Sequence, residues 1–234
     1  VHDLGRPARF LNMLRVFKPT SPLSVGSWLL APFGTLTGAS ALSAETGVAR
    51  PLGRLAGVAS AVLGPPLATY TAALICDTAV PAWHEGYREM PFLFAGGSAC
   101  AAGGLAMMTV PVGEAGPARR MAAVGAVADV AAGELLERRL GALAEPYQQG
   151  RPGRLMRTAR ALTVAGAAGA LLGRRSRVLS VAGGAALMAG SLLTRFGVFQ
   201  AGLASAQDPK YTVAPQRERL EARPDAAQPA EGAR

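Results

Sequence analysis

The chain has 234 residues, of which half are hydrophobic and 17% charged, and its formal net charge is +9. A charged fraction well below the roughly 25% of soluble domains, with a positive mean hydropathy, argues against an ordinary soluble globule and makes lipid the expected surroundings. The cation excess does not suit a nucleic-acid binder, which gathers its Lys and Arg on one folded polar face; here all 24 of them punctuate apolar runs.

The runs free of Lys and Arg, at 25–44, 55–75, 90–112, 121–136, 161–172 and 178–194, predict an all-α, polytopic transmembrane bundle of six spans. The first three runs approach or exceed the roughly 20 residues a bilayer core requires. The last three are shorter and reach full length if Arg119, Arg120, Arg157, Arg160 and Arg195 extend their stems to the headgroups. Gly and Ala clusters such as Ala101–Gly104 and Ala165–Gly169 suit close helix contact in lipid.

In chain order, residues 1–24 form a polar surface segment. From Asp3 to Val25 it holds the cations Arg6, Arg9, Arg15 and Lys18 and the prolines Pro7, Pro19 and Pro22, then leads into Gly26, Ser27 and Trp28. Lys18 to Pro22 predicts a rigid turn before the first helix, because each proline fixes its own φ and restricts the residue before it. The second run contains Pro65 and Pro66, expected to kink or unwind that span about one turn before Tyr70. It ends in Ala68-Thr69-Tyr70-Thr71-Ala72-Ala73-Leu74-Ile75-Cys76-Asp77-Thr78-Ala79-Val80-Pro81-Ala82-Trp83-His84-Glu85, followed by Met90-Pro91-Phe92-Leu93-Phe94. Two crossings separate this loop from the opening segment, so both are expected on one side of the membrane.

The opening segment and this second stretch resemble the NrfD family, also called the polysulfide reductase membrane-subunit family. The resemblance covers residues 2–95 by motif and the remainder by pattern. It implies eight helices in a full-length member, two of them ahead of residue 1. It also implies an integral membrane subunit that passes electrons between menaquinone or another exchangeable quinone and a four-cluster, ferredoxin-like iron–sulfur subunit, itself linked to a catalytic redox subunit. The quinone site is then expected at Tyr70, as hydrogen-bond donor to a quinone carbonyl, with His2, Asp3, Arg6 and Asp77 as ionisable neighbours. Each has a plainer alternative: an interfacial tyrosine for Tyr70, an ion pair for Asp3 and Arg6, a solvated helix end for Asp77, and a headgroup anchor for His84 beside Trp83.

Redox centres within the chain are not expected. Two cysteines, Cys76 and Cys100, fall short of the roughly four ligands of an iron–sulfur cluster, and His2 and His84, outside the apolar runs, do not make a transmembrane haem pair. Asp129 and Glu134 are the acids inside the predicted spans, and an acid at that depth is a functional suspect. They offer either a proton path from the quinone site to the opposite surface or salt bridges to Arg157, Arg160 or Arg195. The expected organisation is 1–24 surface loop, 25–112 quinone-side bundle, 113–196 second bundle and 197–234 polar, largely disordered tail. The same residues admit two rival functions: a small transporter coupled through Asp129 and Glu134, and a non-catalytic anchor for an iron–sulfur subunit.

Overall fold

Serine, proline and glycine at the ends of the apolar runs set the first helical hairpin. The computed structural model describes residues 5, 6, 12 and 14–221, and all regular structure among them is helical. Ser21 caps α1 (Pro22–Thr46) by accepting a hydrogen bond from Ser24 N, and Pro22 opens the helix where no N–H is needed. Gly47 closes it in the left-handed region at φ 71°. α2 (Arg50–Cys76) returns antiparallel along α1: Gly26 faces Tyr70, Thr37 and Ser60 share a 2.7 Å hydrogen bond, and Gly53 faces Ser43. Pro65 and Pro66 leave α2 uninterrupted, and Thr69 Oγ1 donates to the carbonyls of both at 3.1 Å.

The chain continues through α3 (Pro81–His84), α4 (Met90–Thr109), α5 (Gly116–Leu140), a 3₁₀ turn at Gly141–Ala144, α6 (Glu145–Gln148), α7 (Gly150–Leu172), α8 (Arg177–Gln207) and α9 (Lys210–Glu221). α8 therefore runs on through 197–207, where the sequence suggested the start of the tail, and α9 adds a further helix. Glycines bring α4, α5, α7 and α8 together. A Cβ on Gly125 would lie 2.8 Å from Gly96 O, one on Gly104 would lie 2.6 Å from Gly184 O, and one on Gly166 would lie 2.8 Å from Gly183 O. This small-residue packing is the mode expected where lipid removes the hydrophobic drive between helices. The alternation of helix directions gathers residues 16–21, 77–89, 141–149 and 208–209 at one end, called here the loop end, and the short turns 47–49, 110–115 and 173–176 at the other.

The expectation of six spans, and of eight in a full-length protein, is overturned. Among the described residues three helices are long and apolar enough to cross a membrane: α2, α4 and α8. α1 dilutes its apolar residues with Ser24, Ser27, Thr35, Thr37, Ser40 and Ser43; α5 carries Arg119, Arg120, Asp129, Glu134, Glu137, Arg138 and Arg139 within the helix; α7 opens with Arg151, Arg154, Arg157 and Arg160. A gap between cations measures neither the length of a helix nor its apolar content. With three crossing-competent helices the protein is an all-α, multi-pass membrane protein. Only 11% of the most apolar part of α2 is buried by the rest of the chain, which leaves the helix broadly exposed.

Candidate functional site

At the loop end the opening segment folds onto the start of α1. Lys18 N donates to Ser24 Oγ at 3.0 Å, and Phe17 meets Trp28 edge-on with ring centroids 5.8 Å apart. One helical turn away, Gly26 is buried under the Tyr70 ring, and any side chain there would overlap that ring. Tyr70 thus stands beside the first turns of α1, where the antiparallel return of α2 brings it. Leu74, one turn further along α2, exposes apolar surface, as do Leu23 and Trp28 in the first turns of α1.

The other expected ligands are more dispersed. Asp77 ends α2 with its backbone N–H on Ala73 O, exposed and two turns beyond Tyr70, about 10 Å along the axis. Arg6 is exposed. His2 and Asp3 lie outside the described residues.

Loops at the same end build an ordered platform that the sequence did not reveal. Trp83 lies against Gly202 and donates from Nε1 to Val198 O at 2.8 Å, while its ring stacks on Phe199. Ala82 N donates to Ser205 Oγ, and the Tyr147 hydroxyl donates to Ala82 O at 3.0 Å. Tyr147 is 1% exposed, and that burial pushes its phenol above the usual range. Arg139 pairs with Glu89 at 2.6 Å and also donates to Glu85 O, and the hydrogen bond to Glu89 holds its guanidinium above its ordinary value. α9 is tied down by Glu145, which accepts from Lys210 Nζ at 2.9 Å and from Tyr211 OH at 3.1 Å; these bonds lower the carboxyl of Glu145 and raise Lys210. Between α9 and the 78–85 loop lies a cleft of about 220 Å³ that includes Thr78, His84 and Tyr211. His84 is exposed there, whereas its neighbour Trp83 is a packing anchor.

Asp129 occupies a different level. It is 4% exposed, and its Oδ2 sits 3.5 Å from Thr163 Oγ1 while Oδ1 has no hydrogen-bond partner. Ser191 and Thr194, both buried, share this layer with Arg195, which donates to Ser98 Oγ at 2.9 Å and lies over the Phe94 ring. Glu134 is in the salt bridge anticipated for it, to Arg160 Nη1 at 2.5 Å, and Glu137 takes Arg160 Nη2 at 2.6 Å.

No family model, curated protein or solved structure matches the chain. The functional reading therefore rests on its own residues. Among the described residues no group of three or more His, Cys, Asp or Glu is placed to hold a metal ion. The two best-defined features are the Tyr70 corner at the loop end and the Asp129 layer midway along the bundle.

Proposed function

We propose that this protein is the membrane subunit of a quinone-linked oxidoreductase of the NrfD type, exchanging electrons between a membrane quinone and a partner iron–sulfur subunit that serves a catalytic redox subunit. The observation that carries this reading is the seat of the Tyr70 ring, nearly two turns before the end of α2, on Gly26 in the first turns of α1, just past the polar opening segment. A quinone needs an apolar approach for its tail and a donor for its head carbonyl. Leu23, Trp28 and Leu74 offer the first, and the Tyr70 hydroxyl offers the second. Reduction also consumes a proton with each electron, for which Asp77, exposed at the end of α2, is an available exchanger. The ordered platform of 77–89, 141–149 and α9 supplies a polar surface at the same end on which an iron–sulfur partner would dock.

The test is binding of a short-tailed menaquinone analogue to the detergent-solubilised protein, read by quenching of tryptophan fluorescence. Saturable quenching is expected, and Tyr70→Phe is expected to weaken it about fivefold to tenfold, the worth of one hydrogen bond of roughly 1–1.5 kcal/mol. Quenching that never saturates, or that Tyr70→Phe leaves unchanged, removes the quinone site and leaves a membrane anchor.

A further inference from the structure

The four helices α4, α5, α7 and α8 change character at one shared level. Toward the loop end they contribute Phe94, Ala132, Met156 and Val198 to one apolar cluster, and toward the other end Cys100, Ala126, Ala170 and Leu187 to a second. Between the two lies a polar layer of Ser98, Asp129, Thr163, Ser191, Thr194 and Arg195. A buried polar group without a partner is expensive, more so when charged, and Asp129 Oδ1 is the buried side-chain oxygen or nitrogen left unpaired among the described residues. A carboxyl held this way has an incentive to bind something positive.

We propose that Asp129 is a proton-binding site in the middle of the bundle that exchanges with the loop end alone. The groups facing it decide the ligand. Arg195 from α8 and Arg160 from α7 lie within electrostatic reach, and from α4 the neighbour is the thiol of Cys100. One carboxylate with neutral hydroxyls gives a sodium or potassium ion too few ligands, and the guanidiniums, which have no acceptor atom, add none. A proton forms an O–H bond to the carboxyl and needs no coordination shell. The direction of exchange follows from what flanks the layer. Toward the loop end the apolar cluster of Phe94, Leu136 and Met156 fills the core, but beside it, between α5 and α7, Arg160, Glu134, Glu137 and Gln148 form a polar string, with Gln148 Nε2 donating to Glu137 Oε2 at 3.1 Å and Arg160 Nη2 within 3.9 Å of the Cβ position of Gly133, one turn from Asp129. Eight residues of α5 separate Asp129 from Glu137, about 12 Å. Toward the other end Cys100, Met107, Ala122, Ala126 and Leu187 close the path with apolar contacts. The ladder therefore does not lead to the opposite surface, the route suggested by sequence. It ends blind at Asp129, and this holds whether or not a quinone binds at Tyr70.

The full chain, reconstituted with uniform orientation in liposomes, tests this by infrared difference spectroscopy after a pH step applied to one side at a time, before a proton carrier equilibrates the lumen. A protonated-carboxyl band that is lost in Asp129→Asn and shifted in Asp129→Glu is expected to follow pH on the loop side and to ignore the other. Glu137→Gln, which leaves Asp129 in place, is expected to slow its appearance. A band that answers to either side, that responds to sodium in place of protons, or that is identical in Asp129→Asn overturns the proposal. Where Asp129→Asn does not fold, the one-sidedness of the unmodified protein and its slowing in Glu137→Gln decide the matter.

Discussion

Gly104→Val is expected to lower the thermal midpoint of the detergent-solubilised protein by on the order of 10 °C, whereas Gly38→Val leaves it unchanged. A Cβ at Gly104 would stand 2.6 Å from the carbonyl oxygen of Gly184 and 3.3 Å from Leu187 Cβ, and a Cβ at Gly184 would in turn overlap the carbonyl of Gly104. The obstacle is backbone on both sides, so no rotamer change relieves it; α4 and α8 must separate. Overpacking a core usually costs about 1–3 kcal/mol, and an obstacle of this kind belongs at the upper end or above. At roughly 2–4 °C per kcal/mol for a chain of this size, the expected drop follows. Gly38 has nothing within 4 Å of its added Cβ, so the same change there meets open space. Size-exclusion chromatography of heated samples reads both variants, and equal midpoints would show that the α4–α8 contact does not govern stability.

The contrast also shows what the sequence could and could not convey. Helices lie over all six cation-free runs because each is a long apolar stretch rich in Ala and Leu, and that part was legible. Counting those runs as spans failed at α1, which Ser and Thr dilute, and at α5 and α7, where Arg119, Arg138, Arg151 and Arg160 lie inside the helix and the gap between charges is not the helix itself. The meeting of Tyr70 with the start of α1 was legible because it follows from the antiparallel return of one hairpin. The pairing of Glu134 with Arg160 was legible only as one of several partners, since α7 offers four arginines on successive turns. Neither the bond from Thr163 to Asp129 nor the seat of Trp83 on Gly202 has a local signal. Both join helices far apart in the chain, and Trp83, beside His84 near a helix end, reads in sequence as an ordinary headgroup residue.

Trp83→Ala is expected to destabilise the protein by about 3–5 kcal/mol, the range for removing a well-packed tryptophan. The substitution loses the 2.8 Å bond to Val198 O and the stacking on Phe199, and it empties the seat that Gly202 leaves for the indole. The carbonyl of Val198 then lacks its side-chain donor, and Ala82, bonded to Ser205 and Tyr147, carries more of the attachment of the 77–89 loop. A double-mutant cycle separates this account from a general weakening of the loop. Gly202→Ala alone places a methyl group inside the indole and must displace it, so it too is damaging. In the Trp83→Ala background the obstruction is gone, and the alanine now fills part of the space the ring has vacated. The two substitutions are therefore expected to be strongly non-additive, with the second change neutral or stabilising once the first is made. Thermal midpoints of the four proteins measure the coupling, and additive losses would mean that the indole does not rest on Gly202. Because the same loop carries His84 and Glu85 toward the cleft beneath α9, the single Trp83 variant is also expected to disturb that cleft while leaving the Asp129 layer, on the far side of the Phe94 and Met156 cluster, in place.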